Sequence, residues 1–286
     1  MPDVKLSHPD KLLFPDDGIT KADLAAYYAG VADVMLPHLR ERPLNLWRWN
    51  TGIGGKLVVQ QDIPKGAPDW VARAETPRRK GGSIEHVLCQ DADTLRWLAN
   101  QNCITPHVWT ARRDRLDRPD RLVFDLDPPA GTDFAVVREA ALASGKALRA
   151  MGLEPFAMIT GSKGIHVVTP IKRTRETIWV RERAAEIGAE IAAASPDTLT
   201  TEWRKDKREG RILVDTARNT YGQTVVAPYA VRALPGAPVA TPLAWEELSD
   251  GKLRAQSWSV RTLGERLDSR GDPWDGISRH AKALPG

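Results

Sequence analysis

The segment Arg121-Leu122-Val123-Phe124-Asp125-Leu126-Asp127, followed by Pro128-Pro129, constrains this chain more than any other. Its apolar residues read as a buried strand. Two prolines cannot extend the hydrogen-bond ladder, so the strand must end at the second acid. Residues two apart in a strand point to one face, so Asp125 and Asp127 converge on one point. Carboxylates held that close repel unless a cation lies between them, and hard oxygen donors of this kind suit Mg²⁺ or Mn²⁺. A bare Asp-x-Asp also fits a strand end whose acids cap nearby amides. Arg211-Ile212-Leu213-Val214-Asp215 repeats the pattern of an apolar strand closed by an acid. Two-metal phosphoryl transfer needs a third carboxylate of that sort, although Asp215 taken alone reads as a capping residue.

Between these strands lies Thr160-Gly161-Ser162-Lys163-Gly164-Ile165-His166, a strand–turn–strand with glycine at both ends of the turn. Glycines let backbone N–H groups approach a phosphate, and Lys163 and His166 can add charge or donors. It is not a P-loop, because the GxxxxGK spacing and the helix after it are missing. His107, in Ile104 to Trp109, and Arg48, between Trp47 and Trp49, are ambiguous. A strand histidine is commonly a core residue, and an arginine between tryptophans can be a cation–π pair.

The rest of the chain predicts alternating helices and short strands. Thr20 with Asp23 forms a capping-box signal, and Leu24, Tyr27, Tyr28, Val31, Val34 and Met35 continue it as one helix that Pro37 closes or kinks. Strands are expected at 44–49, 57–61, 83–88, 104–109, 155–160, 165–169, 211–215 and 224–227, with helices at 91–101, 133–151 and 175–194. This order suggests α+β rather than a doubly wound sheet. We expect one domain over 1–286, with a flanking segment at about 1–80 packed on a catalytic core at about 81–250, then a tail at 251–286.

Composition excludes several classes. No stretch of eighteen apolar residues could span a membrane, and the N-terminus has no apolar signal core, so a cytoplasmic, nucleoid-associated protein is expected. Cys89 and Cys103 have no CxxC partner, which rules out a disulfide scaffold and a cysteine-built zinc site. The net charge of +4 is a mild lean toward polyanions. The basic residues bunch at 78–80, 112–121, 172–175 and 204–211, around the segments that carry the acids.

Six ordered motifs together resemble the polymerase domain of bacterial ligase D, in the archaeo-eukaryotic primase superfamily. They are His8-Pro9-Asp10-Lys11, Lys65-Gly66-Ala67-Pro68-Asp69-Trp70, Trp97-Leu98-Ala99-Asn100, Phe124-Asp125-Leu126-Asp127-Pro128, Gly161-Ser162-Lys163-Gly164-Ile165-His166-Val167 and Val226-Ala227-Pro228-Tyr229. The resemblance implies a primase-like core of antiparallel and mixed sheets flanked by helices. It implies a template-dependent nucleotidyltransferase that adds nucleotides, ribonucleotides included, to 3′ ends at gaps and breaks during end joining. Asp125, Asp127 and Asp215 would hold two Mn²⁺ or Mg²⁺ ions. Arg48, His107, Thr160, Lys163, His166, Arg208 and Arg232 would serve the incoming NTP or dNTP, and Lys11 and Lys21 the 5′-phosphate of a downstream strand. Gapped or 3′-overhang DNA, the Ku end-binding protein and a DNA ligase would be the partners.

Three positions depart from that pattern. Thr160 stands for a common serine, Leu234 for the second arginine of a pair starting at Arg232, and Val58-Val59 for paired aromatics that would contact the template. Two other classes compete. A haloacid-dehalogenase-type phosphatase also starts with Asp-x-Asp but wants an acid soon after its late aspartate, where Thr216-Ala217-Arg218-Asn219 has none. A non-catalytic DNA-end binding module would need only the basic clusters.

Overall fold

The fold, a computed structural model, describes residues 4–78 and 81–286; Arg79 and Lys80 of the first basic cluster, and the first three residues, lie outside them. In chain order the elements are β1 (Leu12–Phe14), β2 (Ile19–Thr20), α1 (Lys21–Gly30), α2 (Ala32–Leu39), β3 (Leu44–Trp49), β4 (Leu57–Gln60), β5 (Arg73–Pro77), β6 (Ser83–Val87), α3 (Ala92–Asn100), β7 (Cys103–Trp109) and β8 (Arg121–Asp127). There follow α4 (Phe134–Ala150), β9 (Phe156–Ile159), β10 (Ile165–Pro170), α5 (Thr177–Ala193), β11 (Leu199–Thr200), β12 (Ile212–Asp215), β13 (Thr224–Val226), β14 (Thr241–Leu243) and α6 (Leu263–Arg270). They form two compact units, each discontinuous in sequence.

The first unit takes in residues up to Asp114 together with Thr224–Ala240 and Trp258–Gly271. Its four-stranded sheet runs β13-β7-β3-β4, all antiparallel, beside the hairpins β1-β2 and β5-β6. Thr20 and Asp23 make the reciprocal cap their spacing predicts: the Asp23 N–H donates to the Thr20 hydroxyl at 3.2 Å, and the Thr20 N–H to the Asp23 carboxylate at 2.8 Å. The one expected helix is two. Val31 leaves helical geometry after Gly30 and starts α2, and Pro37 sits inside α2 without ending it. α1 packs on α3, and the buried Tyr28 hydroxyl donates to the Ile104 carbonyl at 2.7 Å. Cys89 and Cys103 are buried free thiols, with burial pushing the Cys103 thiol up to about 12.

The second unit takes in Arg115–Gln223, Thr241–Ser257 and Asp272–Gly286. Its six-stranded sheet has the order β11-β12-β8-β10-β9-β14, antiparallel except for the β11-β12 pair. Asp133 caps α4 by accepting the Ala135 N–H at 3.0 Å. α4 packs on β10 and β8, and α5 on β12, β8 and β11. A Cβ added at Gly188 of α5 would lie 3.7 Å from the Val214 side chain, so α5 covers the face that Val214 presents. Asp215, the next residue, therefore points to the opposite face of that sheet. Among the described residues, no helix is long and apolar enough to cross a membrane.

Candidate active site

Strand register assembles the centre. Asp215 is the cross-strand partner of Asp125 on one side, and His166 is its partner on the other. Opposed residues share a face, and so do residues two apart, so Asp125, Asp127, Asp215 and His166 all project from one side of the sheet. The alternate residues Leu126, Val167 and Val214 are buried. This division explains why an apolar strand can end in acids without placing them in the core.

Every one of the three carboxylates meets a basic side chain. Lys163 Nζ lies 2.7 Å from Asp127 Oδ1, and Arg208 Nη1 lies 3.3 Å from Asp127 Oδ2. His166 Nε2 lies 3.5 Å from Asp125 Oδ1. Arg218 Nε lies 3.6 Å from Asp215 Oδ2 and 4.0 Å from Asp125 Oδ2. Asp215 is the most enclosed of the three, and burial pushes its carboxyl above the usual carboxylate range. The Ala217 N–H (2.7 Å) and Arg218 oppose that shift, while Asp125 and Asp127 add to it.

Arg208 has several acceptors. Besides Asp127 it donates to the carbonyls of Glu202 at 3.0 Å and Trp203 at 2.9 Å, and it is buried. Lys163 is half exposed and also donates to the Pro128 carbonyl at 3.1 Å. In its turn, Gly161 has φ of 67°, a value open to glycine, and a Cβ at Gly164 would collide with the Leu126 carbonyl oxygen. The Thr160 hydroxyl ties the turn shut: it accepts the Gly164 N–H at 3.3 Å and donates to the Gly164 carbonyl at 3.1 Å. That N–H is thus engaged within the turn.

The remaining expected site residues belong to the first unit. His107 of β7 is buried and stacks on Trp47 of β3, with ring centroids 3.9 Å apart and planes at 11°. Arg48 sits where the β3-β7 register shifts; it donates to the Gln101 carbonyl at 2.7 Å and to the Gln60 side chain. Arg232 is half-buried, and its N–H donates to the Pro238 carbonyl at 2.7 Å. Lys11 bonds the Asn50 carbonyl and lines a cavity of about 410 Å³ with His8 and Asp10. Lys21 is buried and donates to the carbonyls of Ser7 at 2.7 Å and Asn100 at 3.2 Å; burial, then Lys11, lowers its pKa. Val58 and Val59 of β4 are both exposed, at 37% and 51%, on the edge of the four-stranded sheet.

Two residues at the centre carry no assignment from the sequence. Arg218 bridges two of the acids. Asn219 is buried and clamps the turn that follows Asp215, accepting the Val123 N–H at 2.8 Å and donating to the carbonyls of Val123 at 2.7 Å and Thr216 at 2.8 Å. The only sequence signal for either was their place within four residues of a strand-end acid.

The donor set suits a hard divalent cation: three carboxylates from two adjacent strands, with no thiolate or thioether beside them. With their oxygens turned to basic side chains, no three such groups among the described residues stand close enough together to hold an ion as arranged. The backbone register suits a metal, and the side chains must turn from their cations to take one.

Residues 20–274 match the family described as LigD, primase-polymerase domain. The multifunctional non-homologous end joining DNA repair protein LigD of Mycobacterium tuberculosis is 33% identical over 295 residues, covering 98% of this chain and 39% of that protein. The LigD of Pseudomonas aeruginosa is 34% identical over 273 residues, 95% of this chain and 32% of the relative. The solved polymerase domain of Mycobacterium tuberculosis ligase D, in complex with DNA, matches with a TM-score of 0.90 at 32% identity, covering 97% of this chain and 99% of that one. The chain thus spans between 32% and 39% of the length of these two curated relatives. It belongs to the LigD primase-polymerase domain family, a family of nucleotidyltransferases.

Proposed function

We propose that this chain, acting as one primase-polymerase domain, extends 3′ ends at gaps and overhangs under the direction of a template strand. The observation that carries this is the convergence of Asp125, Asp127 and Asp215 on one sheet face, ringed by Lys163, Arg208, His166 and Arg218. Bound Mn²⁺ or Mg²⁺, held by the three acids, would supply charge stabilisation for phosphoryl transfer. The basic ring neutralises the triphosphate and orients it, with Lys163 on a turn and His166 beside Asp125. Family membership removes the ground for the phosphatase and for the non-catalytic module. Ribonucleotide use, together with Ku and a DNA ligase as partners, belongs to this proposal by family likeness. Purified protein with Mn²⁺, a 3′-overhang annealed to template and labelled nucleotides tests it. Incorporation should follow the templating base; incorporation that ignored the template would reject a template-directed enzyme.

Three further expectations concern binding. Lys163→Ala should mainly raise the KM for nucleotide, because the lysine acts on ground state and transition state alike. Steady-state kinetics at saturating DNA check this, and an unchanged KM with weaker DNA binding would assign Lys163 to the nucleic acid.

A gapped substrate with a 5′-phosphate should bind more tightly than its 5′-hydroxyl twin, and added salt should shrink the gap. Lys11→Ala with Lys21→Ala should erase it. Lys21 is tied to carbonyls of Ser7 and Asn100, so the double variant needs a folding check by circular dichroism. Equal affinity for both substrates in the unmodified protein would defeat the assignment.

Val58 and Val59 stand at an exposed sheet edge, cross-strand from Arg48 and Trp47. Base stacking on an aromatic ring is worth roughly 1–3 kcal/mol, and valine offers no π face. Val58→Phe with Val59→Phe should tighten gapped-DNA binding about tenfold, or about 1.4 kcal/mol, without moving the nucleotide KM. A folded double variant that binds no better would take these positions off the template path.

A further inference from the structure

Arg218 occupies a singular place among the cations of the acid cluster. Lys163 and Arg208 both lean on Asp127, and His166 leans on Asp125 alone. Arg218 reaches two carboxylates on adjacent strands, with Nε 3.6 Å from Asp215 Oδ2 and 4.0 Å from Asp125 Oδ2. A divalent ion shared by Asp215 and Asp125 would need those same oxygens, at about 2.0–2.6 Å. A guanidinium so close to them cannot coexist with the ion without strong like-charge repulsion.

The anchoring of Arg218 matters as much as its contacts. It lies in the short turn Ala217–Asn219, whose backbone is fixed at both ends. The Ala217 N–H donates to Asp215 Oδ1 at 2.7 Å, and the Asn219 side chain is bonded to both backbone groups of Val123 on β8. The Arg218 backbone is thus held beside the acids, while its side chain remains 39% exposed and has room to swing outward. Arg208, by comparison, has three acceptors and is 7% exposed.

We infer that Arg218 is a displaceable counter-charge: in the metal-free protein it holds Asp125 and Asp215 together, and it must leave before a divalent ion binds between them. It is a positioning residue that sets metal affinity. This rests on Asp125 and Asp215 being metal ligands, as proposed above. A group that blocks a site for most of the time lowers apparent affinity by the free fraction; if Arg218 is seated about nine-tenths of the time, the penalty is about tenfold.

The test is Mn²⁺ binding to the DNA-free and nucleotide-free chain, read from the electron paramagnetic resonance of free Mn²⁺ at fixed ionic strength. Unmodified protein, Arg218→Gln, Arg218→Lys and Asp125→Asn are compared. Arg218→Gln should bind Mn²⁺ about tenfold more tightly, and Arg218→Lys about threefold, since an ammonium cannot span both carboxylates as the guanidinium does. If Arg218→Gln proves unfolded, the lysine variant alone decides. A folded variant with unchanged or weaker affinity would overturn the counter-charge role, and a loss of affinity in Asp125→Asn would then leave the metal assignment standing. If Asp125→Asn binds Mn²⁺ as well as the unmodified protein, the metal assignment fails and the inference falls with it.

Discussion

Asp125→Ala, Asp127→Ala and Asp215→Ala are each expected to cut templated extension by at least about a thousandfold, equivalent to roughly 4 kcal/mol of transition-state stabilisation. DNA binding should be largely kept, because no acid contributes attraction to a polyanion. Combining two of the substitutions should cost little more than one, since groups that act as a unit are not additive. Asp215 offers a second readout. Its carboxyl is raised above the ordinary value by burial, so its contribution to metal-free stability is greatest below that ordinary value and is lost as pH rises through the raised one. Ionised Asp215 therefore weighs against the metal-free fold at neutral pH. Asp215→Asn should raise the metal-free melting temperature at pH 7 while abolishing extension. Calorimetry and a primer-extension gel check the two halves, and near-normal extension by any Asp215 variant would remove it from the centre.

Asn219→Ala is expected to have the largest effect on stability. β12 ends at Asp215, opposite Asp125, so its ladder stops short of Val123. The Asn219 amide takes over where the ladder ends, accepting from and donating to the Val123 backbone. Alanine would leave a buried donor and a buried acceptor of a central strand unpaired, each costing about 1–3 kcal/mol. A loss of about 3 kcal/mol follows, or roughly 6–12 °C in melting temperature for a unit of this size. Extension should fall as well, because the same turn sets Asp215 and Arg218. Urea denaturation measures the first effect, and an unshifted midpoint would mean that water replaces the amide without cost.

These two cases show what the sequence made legible. Asp125 and Asp127 could be read as a pair because period-2 geometry is local, and Pro128-Pro129 fixed where the strand stops. α4 and α5 fall within two residues of their expected bounds, because apolar spacing is local as well, and α4 has the Asp133 cap besides. β5, Arg73-Ala74-Glu75-Thr76-Pro77, was not legible: it is polar, and only its pairing with β6 makes it a strand. The split between α1 and α2 was hidden by an apolar pattern that runs unbroken through Val31. β12 and β13, close in sequence, join different sheets, which depends on distant partners. Asn219 and Arg218 act through Val123, Asp125 and Asp215, and their place just after a strand-end acid is the one local mark they carry. Lys21 looks like a surface cation until its bonds to Ser7 and Asn100 are seen.

The central claim is that Asp125, Asp127 and Asp215 hold the ions of a nucleotidyl transfer site. Anomalous diffraction at the manganese edge tests it most directly, on crystals grown with Mn²⁺ and a non-hydrolysable nucleoside triphosphate. Two peaks ligated by these three carboxylates are expected, with Arg218 swung away from Asp125 and Asp215. Manganese bound elsewhere, with the carboxylates still paired to Lys163, Arg208 and Arg218, would contradict it.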